Sequence, residues 1–232
     1  MSKLVWDESG KRLYETGVKN GVLYVMKNGA YQRGVAWNGL TAVTESPSGA
    51  EPTALYADDI KYLELYSAEE FGATIEAYTY PDEFGACDGT VTLENGVIIG
   101  QQERAPFALC YRTTVGNDTE GGNFGYKLHI VYGCKASPSE KGYNTINDSP
   151  EAITFSWEVS TTPVPVANHK PTSTIVLDST KLKASTMAAV EAKLYGDTSS
   201  EPTLMMPDEL LALVRTQEAL PAALSAGTLS SK

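Results

Sequence analysis

A period of two constrains this chain more than any other feature. From residue 153 to 160, Ile153, Phe155, Trp157 and Val159 alternate with Thr154, Ser156, Glu158 and Ser160. In an extended segment that pattern puts every apolar side chain on one face and every polar one on the other. A helix would scatter the same set around its circumference, so residues 153–161 read as a half-buried strand. Shorter β-branched and aromatic runs recur at 21–26, 40–45, 54–66, 73–80, 89–93, 107–115 and 125–132. Turn formers separate them: Asn20-Gly21, Asn28-Gly29, Ser46-Pro47-Ser48-Gly49, Asp88-Gly89, Asn95-Gly96, Glu120 to Asn123, and Ser137-Pro138. Strands at this spacing predict a mainly β fold, an antiparallel β-sandwich or barrel over residues 1–171. Within 107–115, Phe107, Leu109, Tyr111, Thr113 and Val115 share the predicted core face, and Cys110, Arg112 and Thr114 share the other.

Residues 172–232 differ in character. Pro163, Pro165 and Pro171 interrupt the ladder. A strand at 172–178 follows, then a helix over about 180–195 stopped by Gly196 and a second helix opening at Pro207, with Asp208 and Glu209 in its first turn. Another short helix, 82–86, is expected after Pro81. Leu182, Val190 and Leu194 on the first long helix and Leu210, Leu213 and Val214 on the second form narrow apolar stripes. Burying one Leu or Val contributes about 1.5–3 kcal/mol, against an ordering cost of roughly 1–2 kcal/mol for each residue. Such helices cannot stand alone. They are expected to dock on the outside of the sandwich or on an adjacent subunit, with residues 215–232 held by that neighbour.

The 232 residues have room for one large domain or two small ones and for a sizeable core. Their net charge of −11 is concentrated. Residues 1–44 hold six bases and three acids, 45–103 hold one base and thirteen acids, 104–170 hold six of each, and 171–232 hold five bases and seven acids. Nucleic-acid binding by counterion release is therefore disfavoured, and the 45–103 segment must spread its carboxylates over solvated surface. No apolar run approaches the ~18 residues of a membrane span, and the first fifteen residues lack a signal-peptide core. The chain reads as cytoplasmic at synthesis. Cys87, Cys110 and Cys134 fit neither a disulfide framework nor a metal pair and are read as buried free thiols.

Residues 40–66 are predicted to form a long projecting hairpin, with two strand-like arms around the stretch from Glu45 to Thr53. On the returning arm Tyr56, Asp58, Ile60, Tyr62, Glu64 and Tyr66 share one face, and neither face is purely apolar. The hairpin is therefore expected to complete its hydrogen bonding on a neighbouring chain, with Ser46, Pro47, Ser48, Gly49, Glu51, Pro52, Tyr56 and Tyr62 at the contact. Catalytic signals are weak: the sequence has no phosphate-binding glycine loop, His129 reads as a core histidine and His169 as a linker residue. As neighbours on one strand, Asp58 and Asp59 cannot line a single site. No enzyme activity, metal or cofactor is expected.

Several runs together resemble the major tail protein of long-tailed (siphovirus) bacteriophages. They are Gly39 to Pro52, Leu55 to Tyr62, the tyrosine-rich Ala73 to Phe84 ending in Pro-Asp-Glu-Phe, Ile153 to Pro165, and Asn168-His169-Lys170-Pro171. The likeness spans most of residues 3–214, and residues 215–232 extend past the family's usual end. The resemblance implies a tail tube β-sandwich with a short flanking helix, assembled as hexameric rings that stack into a tube. Its partners would be further copies of itself, the tape measure protein, the tail terminator and the distal tail protein, with double-stranded DNA passing through the lumen without specific binding. Its place would be the virion tail, after assembly in the cytoplasm of the bacterial host. A negative lumen repels phosphate, and Glu45, Asp58, Asp59, Glu64 and Glu76 are its candidate residues. Two other readings stay open: a carbohydrate-binding or adhesin-type β-sandwich using Tyr56, Tyr62, Tyr66, Tyr78 and Tyr80, and a glycosidase built on paired carboxylates.

Overall fold

The computed structural model describes residues 3–146, 148 and 151–220. Strands β1 (Leu13–Lys27), β2 (Ala30–Tyr31), β3 (Val35–Trp37) and β4 (Leu40–Glu45) come first. An outlying ribbon follows, β5 (Ser48–Gly49), β6 (Pro52–Ala57), β7 (Ile60–Tyr66) and β8 (Glu69–Glu70), and returns into β9 (Gly72–Ala77). A 3-10 turn at Asp82–Ala86 leads to the small hairpin of β10 (Val91–Glu94) and β11 (Val97–Ile99). The long strands β12 (Phe107–Asn117) and β13 (Gly121–Ala136) follow, then β14 (Phe155–Thr161), β15 (Thr174–Asp178), α1 (Ala184–Tyr195) and α2 (Pro207–Ala219). The fold is mainly β. Its principal sheet is antiparallel in the order β2-β1-β12-β13-β14-β9-β4, with β3 added to β1 and β15 to β13.

Asn20-Gly21, expected as a turn, lies inside β1. The β1–β12 register slips between Thr16 and Val22, with Gly17 and Asn20 at positive φ, so the pair bends a continuous strand instead of ending it. Asn28-Gly29 does turn the chain, with φ of 52° and 78° between Lys27 and Ala30.

The sheet curls so that β14, β9 and β4 face β1, β12 and β13. Leu23, Val25, Phe107, Leu109, Tyr111 and Val131 on one side meet Ile75, Ala77, Trp157 and Val159 on the other. Trp37, Phe84 and Trp157 sit at the centre, with ring centroids 4.5–5.8 Å apart in tilted and edge-on geometries. The opposite face of β12 is buried as well. Val22, Tyr24, Ala108, Cys110, Leu128, Ile130 and Tyr132 pack under Met187, Val190, Leu194, Leu204, Met205 and Leu210. The one-sided burial expected of 107–115 is thereby corrected: α1 and α2 cover the second face, Arg112 meeting Glu191 of α1, and alternation cannot show whether a mixed face has a lid. All six stripe residues lie at this cluster, with Val190, Leu194 and Leu210 fully buried and Leu182, Leu213 and Val214 at its margin. The helices thus sit on their own chain's sheet, and residues 221–232 lie outside the described residues.

The helix ends carry much of what was expected and one device that was not. Gly196 closes α1 at φ 77°, and Pro207 opens α2 ahead of Asp208 and Glu209. The side chain of Lys183, at the start of α1, makes no capping hydrogen bond; instead Glu218 of α2 accepts the Lys183 N–H at 2.9 Å and the Thr186 hydroxyl. A carboxylate at a helix N-terminus also suits the dipole, and these bonds hold the Glu218 carboxyl below its ordinary range. The two helices are locked together by a residue that sequence spacing does not mark.

Gly133 decides where the sheet divides. Residues 127–131 of β13 pair with β15, and 134–136 pair with β14. Between them Gly133 adopts φ 60°, and a Cβ there would lie 2.2 Å from the Thr162 carbonyl oxygen. Gly133→Val is expected to cost about 3 kcal/mol or more, from a left-handed β-branched residue plus a backbone clash. Urea unfolding checks this, and a loss under about 1 kcal/mol would show that the division does not need glycine.

Candidate functional site

The ribbon from residue 46 to 71 is the feature least explained by the fold of one chain. β4 continues through β5 into β6, the chain turns at Asp58-Asp59, and β7 and β8 lead back into β9. The projecting hairpin expected over 40–66 exists, but its arms are 40–57 and 60–77. Asp58 and Asp59, at φ 51° and 61°, are its two-residue turn and not strand residues on opposite faces. Ser46-Pro47-Ser48-Gly49 does not turn the chain; it lies on the outgoing arm, where β5 pairs with β8. The sequence signal misled because proline and glycine mark a break in a ladder equally well when the strand bends and continues.

At its base the hairpin is anchored firmly. Ser46 N–H donates to the Gly72 carbonyl at 2.8 Å, and Thr161 Oγ1 donates to the Phe71 carbonyl at 2.7 Å. Glu45 lies opposite Ala73, on the inner face of the sheet, and accepts the Tyr111 hydroxyl at 2.8 Å. Its carboxylate lies 3.6 Å from Nδ1 of His129. His129 is stacked on Tyr111 at 4.7 Å and hydrogen-bonded to Thr113 at 3.0 Å. This is a core histidine, 9% exposed, whose pKa burial lowers.

Beyond the base the ribbon stands in solvent. Among the described residues neither β6 nor β7 pairs with a third strand, so each leaves one edge of backbone donors and acceptors free. Leu55, Leu63 and Leu65 share one face, while Tyr62 and Tyr66 lie on the other with Ala54 and Glu64. These residues and Tyr56 and Ile60 include seven large apolar side chains between 37% and 71% exposed. Tyr66 donates to Glu64 at 3.0 Å, and Lys61 pairs with Glu64. A two-stranded ribbon is marginal by itself in water, and this one carries its apolar residues on both faces. Of the proposed contact residues, Ser46, Pro47, Ser48, Gly49, Glu51, Pro52, Tyr56 and Tyr62 are all exposed along it.

The five acidic lumen candidates do not form one surface. Glu45 sits at the rim of the inner face with its side chain 40% exposed, Asp58 and Asp59 cap the tip, Glu64 is on the ribbon, and Glu76 lies on the outer face of β9 between Ser156 and Ala42. That outer face groups Thr74 and Glu76 with Ser156, Glu158 and Ser160 of β14. Glu158 was legible as a polar position in the 153–161 alternation, but its partner strand was not.

The three cysteines are free and buried, and burial pushes the Cys87 thiol up to about 12, far from reactive. Among the described residues no cluster of three His, Cys, Asp or Glu side chains is placed to hold a metal, and no helix is long and apolar enough to cross a membrane. Comparison with known proteins finds no family model that matches the chain and no matching curated protein.

Proposed function

We propose that this chain is a self-assembling structural subunit, the tail tube protein of a long-tailed bacteriophage, built into hexameric rings that stack around the path of the DNA. The observation that carries this reading is the 46–71 ribbon: two free strand edges and seven exposed large apolar side chains on a firmly anchored base. An arm of that kind costs solubility unless another surface covers it, and a neighbouring copy supplies one without any further component. The sequence resemblance to the tail tube family agrees with it, and so does the acidic 45–103 segment. Glu76 and Glu158 on an otherwise Ser- and Thr-rich face suit a wall along which DNA slides, since carboxylates repel phosphate within a Debye length of about 8–10 Å. The role is structural and non-enzymatic. Tape measure, tail terminator and distal tail proteins are its proposed partners, and the virion tail its proposed location.

Electron microscopy of the purified protein tests the reading. The intact chain is expected to form rings or tubes. Replacing residues 52–66 with a two-residue turn is expected to leave a folded monomer that forms neither, because the β4–β9 pairing and both cores remain. Monodisperse intact protein that binds a glycan array through Tyr56, Tyr62, Tyr66 or Tyr78 would favour a carbohydrate-binding module instead.

A further inference from the structure

The two ends of β1 carry complementary features. At one end, residues 3–7 leave the sheet as an arm on which Leu4, Val5 and Trp6 are 73%, 65% and 74% exposed. Its base is held in place: Gly10 N–H donates to Asp118 at 2.9 Å, and the Arg12 guanidinium donates twice to the Asp7 carbonyl, at 3.0 and 2.8 Å. At the other end, a groove of about 880 Å³ opens between β1, the 3-10 turn and the β10–β11 hairpin. Its apolar lining is Val25, Val35, Tyr80, Val91 and Ile98, and Ile98 is 65% exposed. Its charged lining is Lys27, Arg33, Asp82, Glu83 and Glu201; Arg33 lies 3.8 Å from Glu201, which leaves Lys27 for Asp7 of the arm and Asp82 and Glu83 for Lys3.

We propose that the arm carrying Leu4, Val5 and Trp6 docks in the groove of a second copy, joining copies head to tail. The proposal deepens the self-assembly reading, on which it rests, by assigning a second contact separate from the 46–71 ribbon. A copy cannot fill its own groove. β1 is 15 residues long, on the order of 45 Å at about 3.3 Å per residue, whereas the arm beyond Gly10 reaches at most roughly 20 Å. Donor and acceptor are different patches, so copies joined in the same orientation meet through a heterologous contact, which extends along an axis wherever its rotation does not close a ring. A ring that closes sideways leaves this axis free, and stacking needs a contact of this directionality. The groove gains equally: β10–β11 is a two-stranded ribbon, marginal in water without cover, and its Val91 and Ile98, 43% and 65% exposed, line the groove.

Full-length Trp6→Ala and Ile98→Arg variants test the contact in sedimentation and electron microscopy. Each is expected to weaken end-to-end association about 30-fold or more, the scale of losing an aromatic anchor, with an unchanged thermal melt because both side chains are exposed. Mixed in equal amounts, the variants keep one working contact, the arm of the Ile98→Arg copy in the groove of the Trp6→Ala copy. They are then expected to form end-to-end pairs and nothing longer. Trp37 and Trp157 are 3% and 0% exposed, so acrylamide quenching reports mainly on Trp6 and is expected to fall as intact chains associate. Intact protein that stacks while both variants stack equally well overturns the arm contact and leaves the self-assembly reading standing. Head-to-tail chains without rings overturn the ring reading and leave the arm contact standing. Protein that stays monomeric at every concentration overturns both.

Discussion

Cutting the chain after Pro171 is expected to unfold it and not merely to shorten it. The lost segment supplies β15, which pairs with β13 over 127–131, and half of the second core. Without it Val22, Tyr24, Ala108, Cys110, Leu128, Ile130 and Tyr132 face water. At about 1.5–3 kcal/mol for each large apolar side chain, the exposed face costs on the order of 10 kcal/mol, as much as the whole stability of a typical domain. Two buried tyrosines lose their acceptors as well, Tyr24 at the Leu194 carbonyl and Tyr132 at the Met205 carbonyl, 3.0 Å away. Circular dichroism and dye binding on the 1–171 fragment are expected to show a non-cooperative melt with exposed apolar surface. A cooperative melt close to that of the full chain would mean that the first core suffices. The narrow apolar stripes of 172–232 suggest a segment docked on a sandwich that folds without it; one sheet shared through the β13–β15 pairing argues otherwise.

The second large effect is expected at Asp88, whose side chain is 4% exposed. It accepts the Trp157 indole N–H at 3.1 Å, lies 3.5 Å from the Arg104 guanidinium and pairs with Lys141. Arg104 lies 3.4 Å from the carbonyls of Cys87, Ala136 and Ser137, so one carboxylate ties the 3-10 turn, the end of β13 and the following loop to the central tryptophan. Asp88→Ala would leave two partly buried cations without their carboxylate and the buried Trp157 indole N–H unpaired. The expected loss is about 2–3 kcal/mol by urea unfolding, from the buried indole N–H left unsatisfied and the lost charge-assisted bonds. Asp88→Asn keeps an acceptor for Trp157 and is expected to lose less. If Asp88→Ala lies within 1 kcal/mol of the parent, the cluster is not holding the loop.

Much of the strand content was legible because burial imposes parity. Ile153 to Val159 reads as a one-sided strand, and β14 buries Trp157 and Val159 on that side while Glu158 and Ser160 face out. The Asn28-Gly29 and Asn95-Gly96 turns, the opening of α2 at Pro207 and the stop of α1 at Gly196 were equally local, since each depends on the backbone preference of one or two residues. Asn20-Gly21 shows the limit. The same dipeptide that reverses a hairpin also fits a bulge, and the choice between them came from the pairing of β1 with β12 on both sides of it.

Consecutive residues were enough to show which side chains can share a face, where the acidic charge is concentrated, and that a long hairpin projects within residues 40–66. Tertiary structure alone decided which faces are covered. Both faces of β12 are buried because helices from residues 184–219 return to the side that alternation left open. Glu45 turns inward because its strand pairs with β9 in the register that puts it opposite Ala73, within reach of Tyr111. The arm turns at Asp58-Asp59 because β6 and β7 pair with each other, Leu55 opposite Leu63 and Thr53 opposite Leu65. Parity is a property of one strand, read from a few consecutive residues. Cover, register and reach are properties of pairs of segments far apart in the chain, and they are settled only when those segments meet.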